Sequence, residues 1–147
     1  MRHGKDGYKL RRDPAHRRAL LRNLAASVVE KNRVTTTLAK AKAVQPIVEK
    51  MVGIGKSGTL ADKRRALAFF YKRQTVQKLF DEVAPRFLDR RGGYTRIIRG
   101  DFRKGDGAET AIIEFVDYQF APKEKKQKDK TKTAKETKAK AKKAAKA

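Results

Sequence analysis

Residues 123–147 contain no large apolar side chain; they are lysine, alanine, threonine, a few acids and one glutamine. A segment with nothing to bury cannot offset the entropy of ordering it, so this stretch reads as a disordered tail. Residues 1–12 face the same limit. Gly4 and Gly7 stand among charges there, and only Tyr8 and Leu10 are large and apolar after the first methionine. They read as an extended arm. A fold must therefore be built from residues 13–122, the usual size of one domain.

Within that stretch the hydrophobic spacing is helical first. Asp13-Pro14 reads as an N-cap followed by proline at the first helical position. Leu20, Leu21, Leu24, Ala25 and Val28 then recur at three- and four-residue spacing, which predicts a helix to about Glu30. Arg33-Val34-Thr35-Thr36-Thr37 is β-branched and suits a strand running into a helix cap. Leu38, Ala41, Val44, Val48 and Val52 continue a helical stripe. Pro46 is expected to kink that single helix, with a break at Gln45 as the alternative, and Gly53, Gly55 and Gly58 are expected to end it. Thr59 and Asp62 have the spacing of a capping box, opening a helix through Leu67 and Phe70. Val76, Leu79, Phe80 and Val83 mark another, stopped before Pro85.

After Arg90-Arg91-Gly92-Gly93 the period changes to two. Residues 94–99 and 109–117 read as strands, joined by a turn rich in Gly100, Gly105 and Gly107. Ile112, Ile113, Phe115 and Val116 supply core. The expected fold is α/β: a single compact domain of about four helices packed on a small mixed sheet, with an extended basic arm before it and a disordered lysine/alanine tail after it.

The charge says what such a domain meets. There are 39 Lys and Arg against 16 Asp and Glu, a net +23. That imbalance repels itself unless a polyanion neutralises it. Residues 1–22 carry six Arg and two Lys, whereas residues 123–147 carry twelve Lys and no Arg. Arginine's planar fork binds phosphate in a fixed geometry and stacks on bases, while lysine supplies mobile charge. The arm is therefore expected to make defined contacts through Arg2, His3, Lys5, Lys9, Arg11 and Arg12, continued by His16, Arg17, Arg18 and Arg22. The tail is expected to supply diffuse attraction. A second basic set lies around the hairpin: Arg86, Arg90, Arg91, Arg96, Arg99, Arg103 and Lys104, with Tyr94 among them. On a strand, Arg96 shares a face with Ile98 and Arg99 with Ile97, so one arginine is exposed whichever way the strand turns.

Chemistry beyond binding finds little support. Gly53-Ile54-Gly55-Lys56-Ser57 lacks the glycine a phosphate-binding loop needs at position 50, where Lys50 stands, and it follows a helix rather than a strand. His3 and His16 have no carboxylates around them at metal spacing. Ser27 has no histidine suitably placed, and the adjacent Asp81 and Glu82 diverge on a helix. No catalytic residue, metal, cofactor or small-molecule substrate is expected. The chain has no cysteine, which fits a reducing compartment. No apolar run reaches the roughly 20 residues of a membrane span, and the N-terminus lacks the apolar core of a secretory signal. A soluble, cytoplasmic chain is expected.

Several stretches together resemble one family. They are Met1-Arg2-His3 with the basic run to Arg12; His16-Arg17-Arg18-Ala19-Leu20-Leu21-Arg22-Asn23-Leu24; Thr35-Thr36-Thr37-Leu38-Ala39-Lys40-Ala41-Lys42; and Asp89-Arg90-Arg91-Gly92-Gly93-Tyr94-Thr95-Arg96-Ile97. In order and spacing, residues 1 to about 117 resemble the bacterial ribosomal protein seventeen family of the large subunit. The resemblance implies a small sheet packed against helices. It also implies binding to large-subunit ribosomal RNA near the side where the nascent chain leaves, with other ribosomal proteins as neighbours. It places RNA contacts along Arg2 to Arg12 and His16 to Arg22, and brings Lys40, Lys42, Arg90 and Arg91 into matching motifs. Asp6 departs from the family's basic arm, and the tail lies beyond its core. Composition alone also fits a DNA-compacting nucleoid protein with lysine-alanine tails, but the chain shows no clear helix-turn-helix. A membrane-surface helix fits less well, because the first helix needs its apolar face for the core and has no aromatic anchors.

Overall fold

The computed structural model describes residues 7–118. The arm residues Arg2, His3 and Lys5 and the tail 123–147 lie outside the described residues. Helix α1 (Pro14–Lys31) leads through Asn32 into strand β1 (Arg33–Thr37), which runs directly into α2 (Leu38–Ser57). Two shorter helices follow, α3 (Leu60–Phe70) and α4 (Arg73–Lys78). The hairpin of β2 (Thr95–Phe102) and β3 (Glu109–Phe115) closes the domain.

The sheet is wholly antiparallel rather than mixed, in the order β1-β3-β2. β3 arrives last and pairs on both edges, Val34 and Ile97 both lying opposite Ile113. Its inward residues Ala111, Ile113 and Phe115 are fully buried. α2 packs on them with the face carrying Ala41, Val44, Val48 and Val52, each fully buried. Those four positions are the helical stripe read from the sequence.

Local chemistry sets the ends. Pro14 occupies the start of α1, and the Asp13 side chain makes no capping bond. Asn32 closes α1 in a left-handed conformation, φ 59°, its N–H donating to Val28 O at 2.8 Å. Its carbonyl accepts from Phe115 N at 3.1 Å, which ties the helix end to the central strand. The short amide side chain makes asparagine tolerant of this geometry. Thr59 caps α3 as expected, Oγ1 accepting from Asp62 N at 3.2 Å.

Three expectations about element ends are corrected. α2 is a single helix through Pro46, as read, but it continues past Gly53 and Gly55, and only Gly58, at φ 68°, lies past its end. Pro46 is exposed there, so its missing bond to the Lys42 carbonyl lies at the surface. Pro85 does not stop the fourth helical run: α4 passes into a π-helical turn, Leu79–Val83, and a 3-10 turn, Ala84–Phe87. Proline fits the start of that last turn because its N–H is not needed there. Gly100 lies inside β2, and the turn is residues 103–108. α3 runs through Leu67 and Phe70 as read, with Phe70 and Ala66 on its buried side and Leu67 facing solvent.

Gly55 explains why the π-helical turn lies so close to α2. A methyl group on Gly55 would stand 2.9 Å from Ala84 Cβ and 3.5 Å from Leu79 Cγ. Glycine is retained within the helix despite its poor propensity because this crossing has no room for a side chain. Gly55→Ala should therefore destabilise the domain by about 1–3 kcal/mol through overpacking, although alanine is the better helix former. Chemical denaturation checks this; an unchanged or higher midpoint would show that the crossing can relax.

Candidate nucleic-acid interface

The described end of the arm is not straight. Leu10 and Arg11 are both left-handed, φ 56° and 50°, and Arg12 N donates to Lys9 O at 3.2 Å. The chain turns there before entering α1, and Lys9 and Arg11 are exposed on the turn. Arg12 reaches His16 one helical turn on, Nη1 lying 3.1 Å from Nδ1. Behind the turn, Gly7 and Tyr8 share one hollow with Arg17, Leu21, Lys42 and Pro46. A neighbouring hollow joins Tyr8 and Lys42 to Ala108 and Glu109 at the turn end of the hairpin. The root of the arm, the first turns of α1 and α2, and the hairpin end thus meet in space. Neither α1 nor α2 carries an acid in its first turn, so the positive potential of those helix ends adds to the side-chain charge. Lys40 is half-buried in the same first turn of α2.

The second basic set does not form one surface. Arg90 and Arg91 lie at the other end of α2, where Lys56 Nζ donates to Arg90 O at 2.7 Å. An α-helix of this length, 20 residues, spans about 30 Å, so this loop is well removed from the hairpin turn. Arg90 Nε donates to Gly92 O at 3.0 Å, and Arg91 is exposed. Tyr94 must be withdrawn from the exposed set. It is buried, its ring 5.4 Å from Phe87, and its hydroxyl is 3.5 Å from Lys56 Nζ. Flanking arginines made it look like a surface residue, but the chain just before β2 turns it inward against Phe87.

Among the described residues, four arginines near the hairpin are held by acids, Arg86 among them, its Nη1 donating to Asp117 Oδ2 at 3.4 Å. Arg96 Nε donates to Glu114 Oε1 at 2.6 Å, and on the other side Arg33 Nε meets Glu114 Oε2 at 3.2 Å. The register places Arg33, Glu114 and Arg96 in one row across the three strands. The carboxylate is almost fully buried, whereas the arginine side chains keep 27% and 49% exposure. Arg33 was not among the sequence candidates; its strand face, read together with Arg96 and an acid on the partner strand, was the available signal. At the hairpin turn Arg103 Nε donates to Asp106 Oδ1 at 2.9 Å, and its Nη2 pairs with Oδ2. Arg99 and Lys104 are exposed, and among the described residues they form no ion pair. The described residues contain no group of three or more His, Cys, Asp or Glu able to hold a metal ion, and no helix among them is long and apolar enough to cross a membrane.

This is a strongly basic α/β domain whose charged groups are displayed on turns and helix ends. Residues 20–116 match the family model described as ribosomal protein L17. The chain is 52% identical over 127 residues to the large ribosomal subunit protein bL17 of Acidobacterium capsulatum, covering 86% of this chain and 79% of that protein. It is 52% identical over 117 residues to bL17 of Bradyrhizobium diazoefficiens, covering 80% and 85%. With bL17 of Solibacter usitatus the identity is 54% over 116 residues, covering 79% and 77%. The chain belongs to the ribosomal protein L17 family.

Two outcomes test the geometry. Glu114→Ala leaves two guanidiniums facing each other across β3, and should cost about 1–3 kcal/mol, less than for a fully buried pair because both keep contact with water. A denaturant midpoint equal to that of the parent would remove the row's structural role. The Arg103 guanidinium, helped by the Ala108 N–H, holds the Asp106 carboxyl down to about 2, below its ordinary 3.8. A carboxyl lowered on folding favours the closed turn above about pH 4, and that contribution fades as pH falls through about 2. Carbonyl NMR should show Asp106 titrating near 2 and returning towards the ordinary range in Arg103→Ala. Titration at the ordinary value in the parent would mean the pair is not formed in solution.

Proposed function

We propose that this chain is a structural component of the large ribosomal subunit, working in the cytoplasm, and that it binds large-subunit ribosomal RNA. The observation that carries the reading is the meeting of Arg17 and Lys42 around Gly7 and Tyr8 at the root of the arm, beside the turn that displays Lys9 and Arg11. Cations brought together from separate segments make a surface for a folded polyanion. In this reading Arg2, His3 and Lys5, outside the described residues, are further RNA contacts, together with Arg12 just before α1, His16, Arg18 and Arg22 on α1, and Lys40 on α2. Arg90 and Arg91 form a second contact at the far end of α2, while Arg99 and Lys104 contact RNA from the hairpin. Arg96 and Arg103 position the sheet and the turn, and offer only the part of each guanidinium that its acid leaves open. The role is architectural: the chain supports subunit assembly and translation without turning over a substrate. Neighbouring ribosomal proteins find apolar surface at the groove between α3 and α4, where exposed Leu60 and Leu67 stand with Val76 and Phe80.

Replacing Lys9, Arg11, Arg17 and Lys42 together with alanine should leave the circular dichroism spectrum unchanged and weaken RNA binding. The slope of log affinity against log salt should fall by about three, since each lost phosphate contact removes about 0.7–0.9. Occupancy of large subunits in cells relying on this variant should fall as well. An unchanged salt slope would show that these cations do not meet phosphate.

A further inference from the structure

Tyr71 ends α3 in a left-handed conformation, φ 60°, with its N–H donating to Leu67 O at 2.9 Å. Glycine is the residue that closes a helix this way without strain. The tyrosine ring gains little from packing, since the residue is 69% exposed. It is nonetheless held in place. The Arg22 guanidinium lies 4.6 Å from the ring centroid and 5.5 Å from that of Phe69, and Arg22 Nη1 donates to the Tyr71 hydroxyl. Keeping Arg22 there leaves its Nε buried without an acceptor among the described residues. A strained backbone and an unsatisfied donor thus maintain a ring that does little for the core. Strain kept in this way marks places where the exposed group meets something else.

The surroundings say what it meets. Tyr71 walls a hollow of about 280 Å³ together with Ala15, Arg18, Ala19, Arg22 and Asn23. The alanines give it a flat apolar side, the Asn23 amide offers both a donor and an acceptor, and exposed Arg18 stands on the rim, one helical turn from Arg22. An aromatic ring, small apolar walls, an amide and a phosphate-binding arginine together suit a single unstacked nucleotide. We propose that Tyr71 is a stacking platform for one unpaired base of the RNA, with Asn23 on the base edge and Arg18 on the adjoining phosphate. This rests on the RNA-binding function proposed above.

The chain has no tryptophan, so Tyr71→Trp in the full chain places a single fluorescent ring at the site. Its emission should be quenched on titration with single-stranded oligoadenylate and not with inorganic polyphosphate, which has charge but no bases. Tyr71→Gly removes the ring while relieving the backbone, so the domain should stay at least as stable. Its affinity for the oligonucleotide should drop about five- to a hundredfold, with the salt slope unchanged because no phosphate contact is lost. Tyr71→Phe should retain most of the affinity. RNA binding without quenching, or equal quenching by polyphosphate, would overturn the platform and leave RNA binding standing. A parent chain that fails to bind RNA at all would remove the proposed function itself.

Discussion

Helix α2 and strand β3 share the contact on which the other elements are placed. Ala41, Val44, Val48 and Val52 on the helix, and Ala111, Ile113 and Phe115 on the strand, are all fully buried. Burying large aliphatic and aromatic side chains such as these contributes about 1.5–3 kcal/mol each. The helix also packs on α1, α3, the other strands and the turns after α4. Because β3 is the central strand and comes last in the chain, the sheet is incomplete until the hairpin docks. Gln45 and Glu49 on α2 fix where β2 begins, through the Thr95 carbonyl at 3.4 Å and its hydroxyl at 3.1 Å.

That shared contact also separates two uses of positive charge. Three arginines of the sheet and the tight hairpin turn are engaged by acids, Arg33 and Arg96 by Glu114 and Arg103 by Asp106, whereas Arg99 on β2 has no ion pair among the described residues. A carboxylate as buried as Glu114 is tolerable only when it is paired and hydrogen-bonded, and here Arg96 Nε–H donates to one oxygen while the Arg33 guanidinium forms an ion pair with the other. On the arm turn and the first turn of α1 the cations have few acids around them. There the sequence places basic groups over helix ends that are already positive. Such an arrangement is stable enough in a folded domain only because water screens it, and a polyanion relieves it further.

Patterns carried by neighbouring residues were legible. The α2 stripe, the Thr59 cap, the proline start of α1 and the change to period two after Gly93 all follow from spacing within a few residues. What misled was punctuation. Gly55 and Gly100 read as breaks, yet each sits inside its element; at Gly55 the crossing at Ala84 leaves no room for a side chain, and at Gly100 the Thr110 hydroxyl lies 2.8 Å from where a Cβ would stand. Tyr94 read as exposed beside arginines, and its burial was decided by the neighbours that cover the position, Phe87 and Lys56.

The amino-acid sequence by itself determined where a core could form, that the ends carry the densest charge, and that the domain must meet a polyanion. These are properties of composition and short-range period, and need no knowledge of which segments touch. Only the tertiary structure decided that the sheet is wholly antiparallel, that the two basic regions lie at opposite ends of α2, and that Arg33 and Arg96 share one buried carboxylate. It also placed Arg22 against Tyr71, 49 residues away. The physical reason is the same for each: long-range pairing depends on strand register and helix crossing, which no local spacing contains.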